Sequence, residues 1–476
     1  MRNIEYMKGF MKRGCLSSRF YLILLLMPFF VGCNAPKNQL NTFNEQFRSC
    51  DYEKSIQFAQ SKMGKIQKGK KPKKDDLLWA LQVGSVERLR QNYQQSAEYF
   101  DKSEELLNYH DYQNELAASV ASTVVNENVI PYKGQEYDGV MVNTYKALNF
   151  MKQGKDDLVR VEFNRALDRQ RRAREKFAKE IAKVQSEIEE QEKKGRYQVR
   201  QSVENPKVES IITEKYPSLY EFKAYPDFVN PFTTYLAGVY FTLVGDYSKA
   251  IDLLKESYGM VPDNDYMAGD LALVERILNG QQQLQDTVWV IFENGLGPVK
   301  EEFRVDLPLF IVTSKVKYVG IALPKLKFRE QAYPYLSVKA AGNTYPTQQI
   351  ADMDRVIQTE FSKDFKAILT RAIISATAKA AAQYVLDQEG SSKAAIASIV
   401  VAAYSFATTA ADVRIWTTLP KDFQVARLNI PDDRIMTIEP PGGTPVQIQI
   451  PPCKNAMVYV RIPFKETALI YDVMTY

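Results

Sequence analysis

The chain has 476 residues, with 62 lysines and arginines against 57 aspartates and glutamates. Its first 32 residues hold five of the basic residues and one acidic residue, so the following 444 residues are almost neutral, with 57 basic and 56 acidic side chains. Such a balance lacks the electrostatic footprint of a nucleic-acid-binding protein. A chain of this length can bury more than one core and predicts two or three domains.

Residues 1–32 have the pattern of a bacterial signal peptide. Basic residues precede an apolar run over residues 20–31, which is shorter than the ~20 residues of a membrane-spanning helix. The run closes with the tripeptide VGC at Cys33, which resembles the lipobox of bacterial lipoproteins. That resemblance implies cleavage before Cys33 and acylation of this residue, which would hold an otherwise soluble chain at a membrane. Asn34, in place of aspartate, favours the outer membrane by the same resemblance, with the protein facing the periplasm.

The later cysteines and the histidine give no metal-ligand spacing. Cys50 and Cys453 stand alone in the sequence, and an oxidising compartment leaves a disulfide between them open. His110 is the sole histidine and lies in the polar stretch NYHDYQNE, which predicts a solvated loop residue. The sequence therefore predicts neither a metal site nor a cofactor.

Residues 33–278 contain a helical repeat pattern. The segment YLAGVYFTLVGDYSKAIDLLKESYGMVP at residues 235–262 follows the tetratricopeptide pattern, with Gly238 at the helix–helix approach and Gly245 in the turn. Other segments align in the same frame and place their turns at Cys50, Gln91 and Gly154. Several copies in one register predict an α-helical, tetratricopeptide-like solenoid.

The first helix of each pair lines a concave groove in such an array. This frame predicts an apolar and aromatic groove, which is costly to leave exposed to water. Two occupants remain open: a segment of a partner protein, or the C-terminal domain of the same chain. The predicted groove residues are Leu78, Leu81, Leu89, Met141, Leu148, Met151, Phe232, Tyr235 and Val239.

A long charged helix is predicted over residues 155–194. Oppositely charged pairs four residues apart, such as Arg171 with Glu175, support it, and apolar residues from Phe177 to Ile188 form a narrow packing seam. The helix has either a solvated charged face or a face that docks on a partner. Its arginines are also candidate contacts for an anionic group, and these are Arg165, Arg169, Arg171, Arg172 and Arg174.

Residues 286–476 change to alternating hydrophobicity, which predicts a mixed α+β domain with antiparallel strands. Between the strands, residues 352–411 predict an apolar helical hairpin, with helices at 352–388 and 392–411. The second helix is rich in alanine, serine and threonine, which favours packing inside the protein. Conditional insertion of residues 392–411 into a membrane is the alternative.

Several segments resemble a family of poorly characterised Gram-negative bacterial lipoproteins with tetratricopeptide-like repeats. The resemblance covers roughly residues 137–465 and implies a role near cell-wall synthesis, since genes of this family often lie beside that of a lipoprotein that activates penicillin-binding proteins. The family supplies no catalytic residues. The matching segments are NTYKALNFM, RVEFNRALDRQRRAREKF, NPFTTYLAGVYF, ENGLGPVKEEFRVDLPLF, GIALPKL and ADVRIWTTLPKDFQVARL.

These observations favour a non-enzymatic, lipid-anchored scaffold or adaptor that binds other envelope proteins. An envelope hydrolase or transferase is the alternative of a different class, and it would need carboxylates that meet only in the folded chain. The third candidate is a component that inserts conditionally into the membrane through residues 392–411.

Overall fold

A computed structural model describes residues 35–64, 71–116, 130–193, 199–220, 225, 230–312, 315–388, 410–465 and 467–476. The predicted signal peptide and Cys33 lie outside these residues. The described chain has a helical N-terminal half and a C-terminal half built on a mixed sheet and two antiparallel sheets. Among its helices, none is long and apolar enough to cross a membrane.

The helices of the N-terminal half follow one another with short links. They are α1 (Ala35–Arg48), α2 (Tyr52–Lys62), α3 (Asp76–Leu89), α4 (Tyr93–Leu116), α5 (Glu136–Lys152), α6 (Asp156–Lys193), α7 (Val199–Val203), α8 (Pro206–Lys215), α9 (Pro231–Leu243), α10 (Tyr247–Met260) and α11 (Asp265–Leu278). The long helix predicted over residues 155–194 is therefore confirmed as α6.

Four helix pairs, α1–α2, α3–α4, α5–α6 and α9–α10, are joined by three-residue links of the same geometry. The middle residue of each link, Cys50, Gln91, Gly154 or Gly245, has a positive φ between 59° and 78°. The next backbone N–H donates to the carbonyl five residues earlier, at 2.8 to 3.1 Å, which satisfies an end carbonyl of the first helix. These are the turn positions that the repeat frame predicts, and all four are confirmed.

Small residues let the paired helices pack closely. A Cβ at Gly84 of α3 would lie 2.7 Å from the Phe100 ring of α4, and one at Gly238 of α9 would lie 3.0 Å from Leu254 of α10. Ser96 and Ala250, in the first turn of the second helix of these pairs, are fully buried. The close approach predicted at Gly238 is confirmed.

In the C-terminal half, the described residues form three sheets and one long helix. Its elements are β1 (Thr287–Asn294), β2 (Val299–Val312), β3 (Lys315–Lys327), β4 (Ser337–Ala340), β5 (Asn343–Pro346), β6 (Gln348–Asp352), α12 (Met353–Gln388), β7 (Asp422–Asn429), β8 (Ile435–Glu439), β9 (Val446–Gln449), β10 (Asn455–Ile462) and β11 (Ile470–Thr475).

The central sheet has the order β11-β10-β1-β7-β6, and β5-β4-β8-β9 form a second sheet. Most pairings are antiparallel as predicted, but β1 and β10 run parallel, with Glu293 opposite Arg461. The parallel pair is one that the sequence analysis does not predict. Alternating hydrophobicity shows which faces of a strand are buried and carries no information on its direction.

The central sheet is the middle of three layers. All eight residues of β1 are buried, and its alternate side chains enter two different cores. Val288, Val290 and Phe292 pack against the second sheet, whereas Trp289 and Ile291 belong to the core shared with the helices. The helical half therefore covers one face of the central sheet and the second sheet covers the other.

Only the first arm of the predicted helical hairpin falls within the described chain. Asp352 ends β6, and α12 begins at Met353. Residues 389–409, with most of the predicted helix 392–411, lie outside the described residues. Helix α12 meets the predicted seam of α6, where Val184 and Ile188 form a small core with Ile374.

Candidate functional site

The residues predicted to line the groove are all buried within the chain. Phe232 of α9 stacks on Phe423 of β7, with ring centroids 3.5 Å apart, and Tyr145 of α5 meets Trp416 edge to face at 5.9 Å. The C-terminal half thus occupies the groove, which is the second of the two occupants that the sequence leaves open. The buried residues are Leu78, Leu81, Leu89, Met141, Leu148, Met151, Phe232, Tyr235 and Val239.

A buried carboxylate, Glu293 of β1, is the centre of this interface. Its Oε2 accepts hydrogen bonds from Arg88 of α3 at 3.2 Å and from the Tyr459 hydroxyl of β10 at 2.7 Å. Its Oε1 accepts from the Tyr145 hydroxyl of α5 at 2.9 Å and lies 3.1 Å from Nε of Arg461. Side chains from two helices, α3 and α5, and from one strand, β10, therefore converge on one carboxylate of β1.

The two arginines of this cluster have further partners. Arg461 donates to the carbonyl of Thr418 at 3.0 Å, and the Arg88 guanidinium lies over the rings of Tyr145 and Tyr459, at 5.0 and 4.6 Å from their centroids. Burial, with the Glu293 charge next, raises the pKa of both tyrosines, so their hydroxyls remain donors. A buried carboxylate with this many partners fixes the orientation of the two layers.

Two other polar clusters join the halves. Asp270 of α11 accepts hydrogen bonds from Tyr235, Trp289 and Arg427, at 2.5, 3.1 and 2.6 Å. Arg414, which is buried, forms a two-pronged contact with Asp412 and donates to Asp75 at 2.7 Å. These contacts span the helices and the sheet at separate places along the interface.

The edge strand β11 is held by residues at the ends of the helix pairs. Gln91, in the α3–α4 link, donates to the carbonyl of Tyr471 at 2.9 Å, and Lys152 at the end of α5 donates to that of Val473 at 3.2 Å. The Tyr93 hydroxyl donates to Asp472 at 2.5 Å. Two carbonyls of this sheet edge therefore accept hydrogen bonds from side chains of the same chain.

The arginines of α6 pair with acids of the same chain. Arg165 contacts Glu162 at 2.9 Å and Arg169 contacts Glu104 at 3.5 Å. Arg171 and Arg172 both contact Asp168, and the Arg174 side chain lies outside the described part. The four described guanidiniums contact carboxylates on α4 and α6, and binding of an anionic group by this cluster stays a prediction.

Two of these arginines, Arg165 and Arg169, belong to a larger network around Lys146 of α5. This buried amine lies 2.8, 2.7 and 3.0 Å from Asp101, Glu104 and Glu162. Although burial opposes ionisation, the Lys146 ammonium lowers the pKa of Glu104 to about 2. The network joins α4, α5 and α6.

The histidine differs from its prediction. His110 lies within α4 and is buried, and burial, with Lys133 nearby, lowers its pKa to about 4. The expectation of a solvated loop residue is wrong because α4 continues past the repeat. Cys50 and Cys453 are free thiols in this structure.

Three carboxyl groups meet at one corner of the central sheet. Asp422 begins β7 and accepts hydrogen bonds from Asn294 and Gln424 at 3.0 Å, while Asp354 of α12 forms an ion pair with Lys421. Burial raises the pKa of Asp422 to about 7 and of Asp354 to about 6, and the nearby charge of Asp352 contributes to both. Acids in this range can exchange protons near neutrality.

Sequence reasoning missed this acidic corner because its residues come from β6, α12 and β7 and share no motif. One Asp354 oxygen, Oδ1, is buried without a hydrogen-bond partner. Among the described residues, no group of three or more His, Cys, Asp or Glu side chains is arranged to hold a metal ion.

The fold and the interface define an α+β protein whose helical layer encloses one face of a mixed sheet. Comparison with family models found no match to this sequence, and comparison with curated proteins found none.

Proposed function

We propose that the chain is a lipid-anchored, periplasm-facing scaffold of the outer membrane that binds other envelope proteins. The observation that carries this proposal is the recurrence of one link geometry in four helix pairs. Such recurrence is typical of tetratricopeptide-like solenoids, whose surfaces bind proteins. The lipobox at Cys33 supports the anchor, and the family resemblance supports partners in the cell-wall synthesis machinery.

The partner surface in this proposal is the outer face of α6. The groove is filled by the central sheet, so a partner needs another surface of the helical half. Arg172, Glu175, Lys179 and Lys183 are exposed on α6, and the opposite side of this helix packs on α12. Side chains of both signs on an exposed helix suit a partner with complementary charges.

Site-specific photo-crosslinking in intact cells tests the scaffold. A photoreactive residue is placed at Arg172, Lys179 or Lys183, and at the control positions Lys339 and Gln447 on the exposed side of the second sheet. We expect one identified envelope protein to be captured from the α6 positions and not from the controls. Equal capture, or no capture, from membranes that hold the anchored chain would overturn the proposal.

A second candidate function, an envelope hydrolase or transferase, is favoured by the acidic corner of Asp352, Asp354 and Asp422. Burial raises the pKa of all three carboxyl groups, which suits general acid–base chemistry. Incubation with isolated peptidoglycan, read by the release of soluble fragments, tests this candidate. Activity lost in Asp354→Asn and kept in Glu301→Gln would support it, and no release by the unaltered protein would contradict it.

A further inference from the structure

One carboxyl group of α12 binds the start of a helix in the helical half. Glu360 of α12 is 5% exposed, and its two oxygens accept hydrogen bonds from the backbone N–H groups of Glu136 and Tyr137, at 2.7 and 3.2 Å. These residues form the first turn of α5, whose N–H groups have no partner within the helix. The contact joins residues more than 220 positions apart in the sequence.

A second carboxyl group lies beside the first. Asp364 is one helical turn after Glu360. When the side-chain amide of Gln135 is oriented with its nitrogen toward the two acids, this nitrogen donates hydrogen bonds to Glu360 Oε1 and to Asp364 Oδ2, at 3.2 Å each. The two acidic oxygens therefore lie no farther apart than twice that distance. Two carboxylates this close in a buried site repel each other unless one holds a proton.

Other charged groups around this pair come from every side of the contact. From α5, Glu136 adds a negative charge next to Glu360, and Asp138 is buried and bonded to the Tyr132 hydroxyl at 2.7 Å. From β2, Lys300 acts on Asp138 and lies 6.0 Å from the ring centroid of Phe361. The main charges that act on Glu360 itself, those of Asp364 and Glu136, are negative.

Opposing effects act on the pKa of Glu360. The N–H groups of α5 and its helix dipole favour the ionised carboxylate. Burial, followed by the charges of Asp364 and Glu136, acts the other way and raises the pKa of Glu360 well above its usual range. Burial also raises the pKa of Asp138 to about 6, although the Tyr132 hydroxyl and the Gln135 N–H oppose it.

We propose that the Glu360–Asp364 pair and the first turn of α5 form a proton-controlled latch for α12. The latch is closed while the pair holds one proton. When the pair loses that proton, repulsion among the acidic side chains weakens the contact between α12 and the first turn of α5. Helix α12 then depends on its other contacts, such as the Arg371–Glu187 ion pair and the Ile374 core with α6.

The direction of the pH effect follows from the sign of the pKa change. A carboxyl group whose pKa is raised by folding supports the folded contact below its unfolded pKa, and that support is lost as pH rises through the folded pKa. The latch is therefore closed in acid and loosens toward alkaline pH. Local opening of a helix is measured by the exchange of its backbone amides.

Hydrogen exchange of the full chain at about pH 5.5 and about pH 8, corrected for the intrinsic exchange rate, tests the latch. We expect the protection of amides in residues 356–368 to fall by about tenfold between these conditions, as loss of one linked proton allows. Glu360→Gln cannot ionise and retains an acceptor oxygen, so its protection is expected to vary with pH by less than about threefold. Glu105→Gln, at an exposed position on α4, is the matched control and should behave as the unaltered chain.

Two results would overturn the latch. One is protection of residues 356–368 that does not change with pH in the unaltered chain, and the other is a full pH response in Glu360→Gln. Asp364→Asn provides a second variant if Glu360→Gln does not fold, because it removes the charge that repels Glu360. This variant should also reduce the pH response, and an unchanged response would contradict the shared proton.

Discussion

The Glu293 carboxylate accepts a hydrogen bond from the Arg88 guanidinium at 3.2 Å across the boundary between the helical half and the central sheet. Both residues are buried, and Arg461 lies on the other side of the same carboxylate. The groove of the helical half is thus closed by a polar contact as well as by apolar packing.

Glu293→Gln should destabilise the protein by about 3–5 kcal/mol, because removal of the carboxylate leaves two buried guanidiniums without their counter-charge. The free energy of unfolding in urea measures this loss. Glu301→Gln is the control, since Glu301 is half exposed and pairs with Lys327 on the surface. The control should change stability by no more than about 1 kcal/mol. Equal losses in the two variants would contradict a role for Glu293 in joining the layers.

Gly84→Ala should destabilise the α3–α4 pair. Its new methyl group would lie 2.7 Å from the ring of Phe100, which is fully buried. Overpacking of this kind costs about 1–3 kcal/mol. Gly259→Ala in α10 is the matched control, because its methyl group would meet nothing within 4 Å and alanine favours a helix. A Gly84→Ala protein as stable as this control would show that the two helices are farther apart.

The stability of the protein should fall as pH rises from about 4 to about 7 because of Asp354 and Asp422. Burial raises the pKa of these groups to about 6 and about 7, so the unfolded chain releases their protons first. Urea unfolding at several pH values measures the slope. Asp422→Asn should flatten the slope, and an unchanged slope would show that Asp422 does not hold a proton in the folded protein.

Stability should also fall in strong acid because of Glu104. Lys146 holds the pKa of Glu104 at about 2 against the effect of burial. The contribution of Glu104 is therefore fully present above its unfolded pKa and is lost as pH falls through its folded pKa of about 2. Glu104→Gln should remove part of the acid dependence. If the variant lost stability in acid as steeply as the unaltered protein, the Lys146 network would not be the source.

Cys33→Ala should release the protein from membranes at alkaline pH. Acyl chains on Cys33 are the anchor in the proposed function, and two signals are needed for stable attachment. Fractionation followed by alkaline extraction measures the distribution of the protein. Retention of the Cys33→Ala variant in the membrane pellet would show a second anchor.

The repeat frame predicted the links because their signals are local. A turn residue in the left-handed region and a small buried residue at the start of the next helix recur at fixed spacing, as Gly245 and Ala250 show. The tight approach at Gly238 belongs to the same pattern. Such signals do not depend on the rest of the chain.

The contacts that close the groove could not be predicted in this way. Arg88 lies 205 positions before Glu293 in the sequence, and no spacing rule connects them. The parallel pairing of β1 and β10 joins strands separated by most of the C-terminal half. The acidic latch likewise depends on α12 meeting the first turn of α5, which only the fold determines.

Closure of the groove by the central sheet is tested most directly by a double-mutant cycle between Phe232 and Phe423. The unfolding free energies of Phe232→Leu, Phe423→Leu and the double variant are compared with that of the unaltered protein. Because the two rings stack across the interface, we predict a coupling of about 0.5–1.5 kcal/mol. Losses that add to within about 0.3 kcal/mol would contradict the closed groove.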